Sequence, residues 1–348
     1  MVGFNQILKE ARRKNQKSLK EVAQDLHIDY SLLSRLENGS RKVSKLQVQQ
    51  FANYYNIPYK ELVIQWLSDK IYFELKDEDY GIDALQIAES RLTYHAKTFN
   101  NQSLIQKANT LKAKLDQLRP LEADHLQKLM EYYKVEYTFD SNRIEGNTLS
   151  LKETALIIEK GMTIRGKSVR EHFETINHAE AVDLLNDFVK NKSAFNERLL
   201  LQIHALVLRG VDKSNGGIYR SVNVRISGSR HTPPQPFMLN KLMEDYFIFY
   251  QEQKDKLHPV VMAAQMHERL VTIHPFIDGN GRTARLVMNL ILMQAGYPIT
   301  TISSEQENRL KYYDTLEYAQ TEADKNPFIE FIFQHTIHAL KEFIAFSQ

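Results

Sequence analysis

The sequence predicts an all-α protein in two parts: a small N-terminal helical bundle, then a larger helical core carrying one β-like stretch. Three observations support this. Apolar residues recur at helical spacing through most of the 348 residues. Chain breakers are scarce, with 13 glycines and 9 prolines, so few points interrupt a helix. Charge is unevenly divided. Residues 1–66 hold eleven Lys/Arg against six Asp/Glu, so the 34 basic and 37 acidic residues that remain are slightly acidic, although the whole chain is +2. At about 100–200 residues per domain the length suits two domains, and 43% hydrophobic with 25% charged residues supports a buried core.

Composition also excludes some chemistry. There is no cysteine, hence no disulfide, thiolate metal site or cysteine nucleophile. No apolar run reaches the roughly 18 residues of a membrane span. The first residues include Lys9 and lack an apolar signal core. A cytoplasmic location without a membrane partner is therefore expected.

Residues 1–66 read as five short helices. The first runs from about Gly3 to Lys14. Ser18 caps the second, with Glu21 at capping-box spacing ahead of Val22, Ala23 and Leu26. After a turn through His27-Ile28-Asp29, the third spans Tyr30 to Asn38 and stops at Gly39. The fourth carries Leu46, Val48, Phe51 and Ala52, and the fifth starts near Pro58.

The pattern Ser18-Leu19-Lys20-Glu21-Val22-Ala23, followed by Ser31, Ser34, Arg35, Leu36, Glu37 and Gly39, resembles the XRE, lambda-repressor-like helix-turn-helix. It departs at Leu19, where that family often has a backbone-anchoring glutamine. The resemblance implies a DNA partner, with Tyr30, Ser31, Ser34 and Arg35 facing the major groove and Arg41, Lys42 and Lys45 near phosphates. Glu37 reads as a partner for Arg12 or Arg13. The competing reading is a module used only for protein contacts or dimerisation.

Residues 67–120 read as a helical connector. Leu104, Ala108, Leu111, Leu115 and Leu118 follow a 4-3-4-3 seam, too short for a secure coiled coil and suited to an amphipathic helix packed on its own chain. A second copy of the chain remains a candidate partner. Arg119-Pro120 marks a domain edge, and residues 121–348 form the second domain.

The chemistry concentrates at His274-Pro275-Phe276-Ile277-Asp278-Gly279-Asn280-Gly281-Arg282-Thr283-Ala284-Arg285. An apolar-periodic helix precedes it, from Pro259 to Ile273, and a largely buried one follows, ending near Gly296. The motif thus occupies a tight connection and the first turn of the second helix, where free N–H groups and positive dipole suit a phosphate. Gly279 and Gly281 let the backbone approach an anion, and Arg282 and Arg285, three apart, share a face.

This string resembles the signature His-Pro-Phe-x-Asp/Glu-Gly-Asn-Gly-Arg-x-x-Arg of the Fic family, with every fixed position filled. The resemblance implies a helical fold with a small β-hairpin flap. The implied activity is AMP transfer from ATP, with Mg2+, to a protein Tyr, Ser or Thr hydroxyl, including one of its own. His274 would be the general base and Asp278 the metal ligand. Gly279, Asn280 and Gly281 would cradle phosphates, the Asn280 amide included, and Arg282 and Arg285 would bind the β/γ end. Asn280 and Arg282 are counted with His274 as catalytic. Ser141-Asn142-Arg143-Ile144-Glu145-Gly146 resembles the family's inhibitory motif, on a helix over 137–147, which implies a Glu145–Arg285 pair that blocks productive ATP. Residues 216–236, where Val224 and Ile226 alternate with Arg225 and Ser227 before Gly228, resemble its flap, implying that Arg225, Ile226, Ser227 and Gly228 dock a target strand. Tyr312 and Tyr313 are candidate adenine contacts, with Gln320 where relatives often have asparagine.

Other candidates read as background. Residues 151–188 are expected to be helical, and Glu171, His172, Glu174 and His178 there lack metal spacing. His204 and His267 lie on apolar faces and read as core histidines. Three alternatives stay open: a phosphotransferase on the same fold, a DNA-binding regulator whose Fic domain senses ATP, and a single-chain toxin–antitoxin arrangement that represses its own operon.

Overall fold

The computed structural model describes residues 3–94 and 99–347, and the chain divides into two compact units, Met1–Leu92 and Thr93–Gln348. Among the described residues the regular structure is helical and no strand forms.

The first unit contains α1 (Phe4–Lys14), α2 (Leu19–Asp25), α3 (Tyr30–Glu37), α4 (Lys45–Tyr55), α5 (Tyr59–Leu75) and most of α6 (Gly81–Tyr94). Short helices need their first N–H groups satisfied, and here side chains do it. Ser18 with Glu21, and Ser44 with Gln47, form reciprocal capping boxes, while Asp29 accepts from the Leu32 N–H. Each cap stabilises its helix by about 1 kcal/mol. The core gathers Phe4, Leu8, Val22, Leu33, Leu36, Val48, Phe51 and Leu62. Glu37 pairs with Arg12 rather than Arg13, through bonds of 2.8 and 2.9 Å, and Arg12 also donates to the Lys17 carbonyl.

The second unit contains α7 (Gln102–Gln117), α8 (Ala123–Ile144), α9 (Leu151–Lys160), α10 (Val169–Lys190), α11 (Glu197–Val207), a 3-10 turn (Pro236–Met238), α12 (Leu239–Gln253), α13 (Pro259–Ile273), α14 (Asn280–Gln294), α15 (Gln306–Thr321) and α16 (Asn326–Phe346). Its centre is the α13–α14 pair, buried along most of its length, including polar residues such as Glu268, Arg282, Arg285 and Asn289. Helices α8, α10 and α11 pack on α14, and α12, α15 and α16 pack on α13. The seam of residues 104–118 is spent within this unit: α7 packs on α16, with Ala108 and Leu115 fully buried. The run expected over 151–188 is two helices, because Gly161 ends α9 in the left-handed region and a Ser168–Glu171 capping box starts α10.

The hairpin expected within 216–236 is not formed. Gly228 does make the turn, with a Ser229 N–H to Ile226 carbonyl bond of 3.2 Å. The flanking backbone groups, however, are taken by side chains instead of by a facing strand. Arg220 claims the Val222 and Pro234 carbonyls, Glu317 accepts from the Arg230 N–H, and Pro233 and Pro234 have no N–H to donate.

Candidate active site

His274 terminates α13 in the left-handed region, φ 49° and ψ 57°, an uncommon conformation for a side-chain-bearing residue. Its N–H still bonds the Leu270 carbonyl, while Arg220 holds its carbonyl at 2.8 Å. Nδ1 lies 3.2 Å from the Val271 carbonyl, which can only accept, so Nδ1 carries the proton and Nε2 keeps its lone pair. Burial pushes the imidazole down to about 4, with Arg220 adding to the effect, so the ring is neutral at pH 7.

The loop after His274 is braced from within. Phe276 is fully buried and stacks on His204, with ring centroids 3.6 Å apart. His204 donates from Nε2 to the Asp278 carbonyl and accepts the Gly217 N–H at Nδ1, each at 2.9 Å. It is thus a core histidine that also shapes the loop; burial lowers it to about 4. The Asn280 amide, expected near phosphates, is engaged within the loop in this structure. Its Nδ2 donates to the Phe276 carbonyl at 2.8 Å and its Oδ1 accepts the Phe276 N–H at 3.0 Å, so both polar atoms close the loop.

Asp278 faces a cluster of cations. It accepts from the Gly279 N–H at 2.6 Å and from Arg170 at 2.8 Å, with Arg282 3.4 Å away. Arg282, 3% exposed, also pairs with Glu174 at 3.3 Å. Glu174 in turn accepts from Arg170 and from Asn147, just beyond Glu145. Arg170 and Glu174 are therefore site residues that the sequence reading passed over. Their i,i+4 spacing looks like an ordinary surface pair, and only packing turns it toward Asp278.

Arg285 is 1% exposed and fully engaged. Nε donates to Ser141 Oγ at 3.0 Å, Nη2 to the Ser141 carbonyl at 2.8 Å and to Glu145 at 2.7 Å, and Nη1 to Tyr312 at 3.3 Å. Burial acts against the guanidinium charge, but Glu145, Tyr312 and Tyr137 together outweigh it and raise the Arg285 pKa. Gly281 makes room for this pair, since a Cβ there would overlap the Glu145 carboxylate. Tyr312, a candidate adenine contact, is 2% exposed, with its hydroxyl between Arg285 and His267 Nε2. Tyr313, 41% exposed, remains available and donates to the Ile144 carbonyl.

The remaining candidates lie apart from this cluster. Arg225, Ser227 and Gly228 are exposed and Ile226 half-buried. In the first unit Tyr30, Ser31, Arg35, Arg41, Lys42 and Lys45 are exposed and Ser34 half-buried; Arg35 folds back onto Ser31, and Lys42 reaches Glu74.

The donor set fits a nucleotide triphosphate. The buried Nε of Arg282 has no hydrogen-bond partner among the described residues, while its Nη1 meets Glu174 as an ion pair without hydrogen-bond geometry, an arrangement that an anion would relieve. They lie on the first turn of α14 beside Gly279 and Gly281. Asp278 supplies hard oxygens suited to Mg2+.

Comparison with known proteins agrees on both units. A model described as the Fic/DOC family matches residues 194–292, and one described as a helix-turn-helix domain matches residues 5–65. The protein adenylyltransferase Fic of Culex quinquefasciatus is 40% identical over 234 residues, 67% of this chain and 46% of that protein. The protein of the same name from Drosophila grimshawi is 36% identical over 263 residues, 73% and 53% of the two chains. The chain thus spans about half the length of these curated relatives. A solved structure of a Fic domain containing signaling protein from Bacteroides thetaiotaomicron is 28% identical with a TM-score of 0.63, covering 69% of this chain and 97% of that one.

Proposed function

The chain carries a Fic/DOC family domain behind a helix-turn-helix domain, and from that premise we propose that it is a protein adenylyltransferase held in check by its own Glu145. The relatives named as protein adenylyltransferases support the activity. The Glu145–Arg285 contact at 2.7 Å supports the brake and is the observation that carries this reading.

In the reaction, a hydroxyl oxygen of the target forms a bond to the α-phosphorus of ATP. The bond to the bridging oxygen breaks and pyrophosphate leaves. The hydroxyl proton passes to Nε2 of His274, which the Val271 carbonyl keeps unprotonated and in orientation. Arg282 supplies donors to the phosphate oxygens, and the backbone of Gly279 and Gly281 stays close to them. Mg2+, when bound at Asp278, neutralises charge on the phosphates. Asp278 would be the residue that holds it, and Arg170, which donates to Asp278 at 2.8 Å and to Glu174 at 3.1 Å, keeps a second positive charge beside that carboxylate.

The brake follows from the same geometry. Arg285 can satisfy Glu145 or a γ-phosphate with Nη2, not both. A charge-assisted bond of this kind biases a two-state site strongly. The exposed cations of the first unit suit DNA phosphates, and we read that unit as the DNA-binding part.

The test uses purified parent, Glu145→Gly and Glu145→Gly/His274→Ala with Mg2+ and α- or γ-labelled ATP. Incorporation of α-label by the glutamate variant alone is the expected result. Incorporation of γ-label would make the enzyme a kinase, and no incorporation of either label would remove the transferase reading.

A further inference from the structure

We infer that Arg220 is a positioning residue whose single guanidinium sets both the general base and the segment expected to receive the target. The inference rests on the adenylyltransferase reading for its catalytic half. Its geometric half stands on the bonds alone. Arg220 is 3% exposed. Nε donates to the His274 carbonyl at 2.8 Å, Nη1 to the Val222 carbonyl at 2.9 Å and Nη2 to the Pro234 carbonyl at 2.6 Å, while its backbone N–H donates to the Pro275 carbonyl at 2.9 Å.

A buried guanidinium ordinarily lies against a carboxylate. Among the described residues no ion pair is formed by this one, and its donors go to carbonyl oxygens. What those carbonyls share is position. His274 O belongs to the catalytic turn, and Val222 O and Pro234 O mark the two ends of the segment that contains Arg225–Gly228. The planar fork holds its donors at fixed mutual angles, so the base and both ends of the segment are tied to one rigid body. The left-handed backbone of His274 needs such a tie, because α13 restrains it only from the N-terminal side. A lysine keeps the charge and has one point of attachment, so it cannot span three carbonyls.

The experiment places Arg220→Lys and Arg220→Gln in the Glu145→Gly background. The probe is the rate of α-label incorporation into the enzyme itself at saturating Mg-ATP. Both variants should lose about 10- to 100-fold, the scale of a misplacement near 1 Å, with the ATP Kd unchanged. Two readouts are independent of activity. Trypsin should cut after Arg225 faster in both variants than in the parent. The His274 imidazole, followed by NMR, should titrate higher in the glutamine variant and stay low in the lysine variant, which keeps the charge. Unchanged transfer and unchanged cleavage would overturn the inference. So would ATP binding lost in step with the thermal midpoint, because a general loss of folding would then explain the rate. If Glu145→Gly alone transfers no label, the function reading falls, and cleavage after Arg225 still decides the clamp.

Discussion

The two units use charge in opposite ways. In the first, the cations proposed to meet DNA are exposed on α3, on the turn after it and at the start of α4. In the second, Arg220, Arg282 and Arg285 are at most 3% exposed, and each is held by atoms far away in sequence. An exposed charge acts through the field it projects and is weakened by salt. A buried one acts through directional bonds in a dry site, where each bond is stronger and each loss costs more. A surface that recognises a polyanion can therefore be built from local spacing, whereas a site that does chemistry must be closed by tertiary packing.

The largest effect that would sharpen this contrast is at His274. His274→Ala in the Glu145→Gly background should lower α-label transfer by about two to four orders of magnitude, the usual worth of a general base, while the protein's ATP Kd holds. Transfer within a few-fold of the parent would take His274 out of the mechanism. Next comes the brake. Losing one charge-assisted bond, about 1.5–3 kcal/mol, predicts that Glu145→Gly raises transfer by about 10- to 100-fold, read as initial rates at fixed ATP.

Acid should separate the units. Burial lowers His204, His258 and His274 to about 4, all in the second unit. Below about pH 6.5 the unfolded chain takes up these protons and the folded one does not, so stability is full above that pH and falls toward pH 4. The slope reaches about 1.4 kcal/mol per pH unit for a fully buried group such as His204. The first unit has one histidine, His27, and it is exposed, and the chain's one tryptophan, Trp66, lies in that unit. Urea unfolding followed by tryptophan fluorescence should therefore change less between pH 7 and pH 5 than unfolding followed by circular dichroism. Equal shifts by the two probes would contradict the contrast. The smallest effect is on DNA. Lys45→Ala should leave the thermal midpoint in place and reduce the slope of log affinity against log salt by about one, the share of one phosphate contact. An unchanged slope would place Lys45 away from the backbone.

Much of this molecule was legible in the sequence. The capping box at Ser18 and the helix starts at Tyr30 and Pro259 were read from chemistry within three or four residues. The Arg12–Glu37 pair followed from a buried-edge glutamate opposite a basic helix. The Glu145–Arg285 contact was expected from two motifs separately, each compact enough to be read. The hairpin failed to form, and two candidate ligand contacts are turned to the protein, for a common reason. Val224 and Ile226 alternate as a strand would, yet Arg220 and Glu317 take the neighbouring backbone groups. The Asn280 amide is drawn inward by Phe276, and Tyr312 is buried against His267.

What the sequence determined by itself is what short-range chemistry controls: where helices begin and end, which face is apolar, and which residue types sit together in the His274–Arg285 turn. Tertiary structure alone decided which of those side chains are spent on the protein and which stay free for a ligand. Arg220 shows why. Its carbonyl partners are 2, 14 and 54 residues away, and nothing in its local sequence favours one over another. A guanidinium finds them because burial strips away water and leaves those three oxygens as the acceptors in reach.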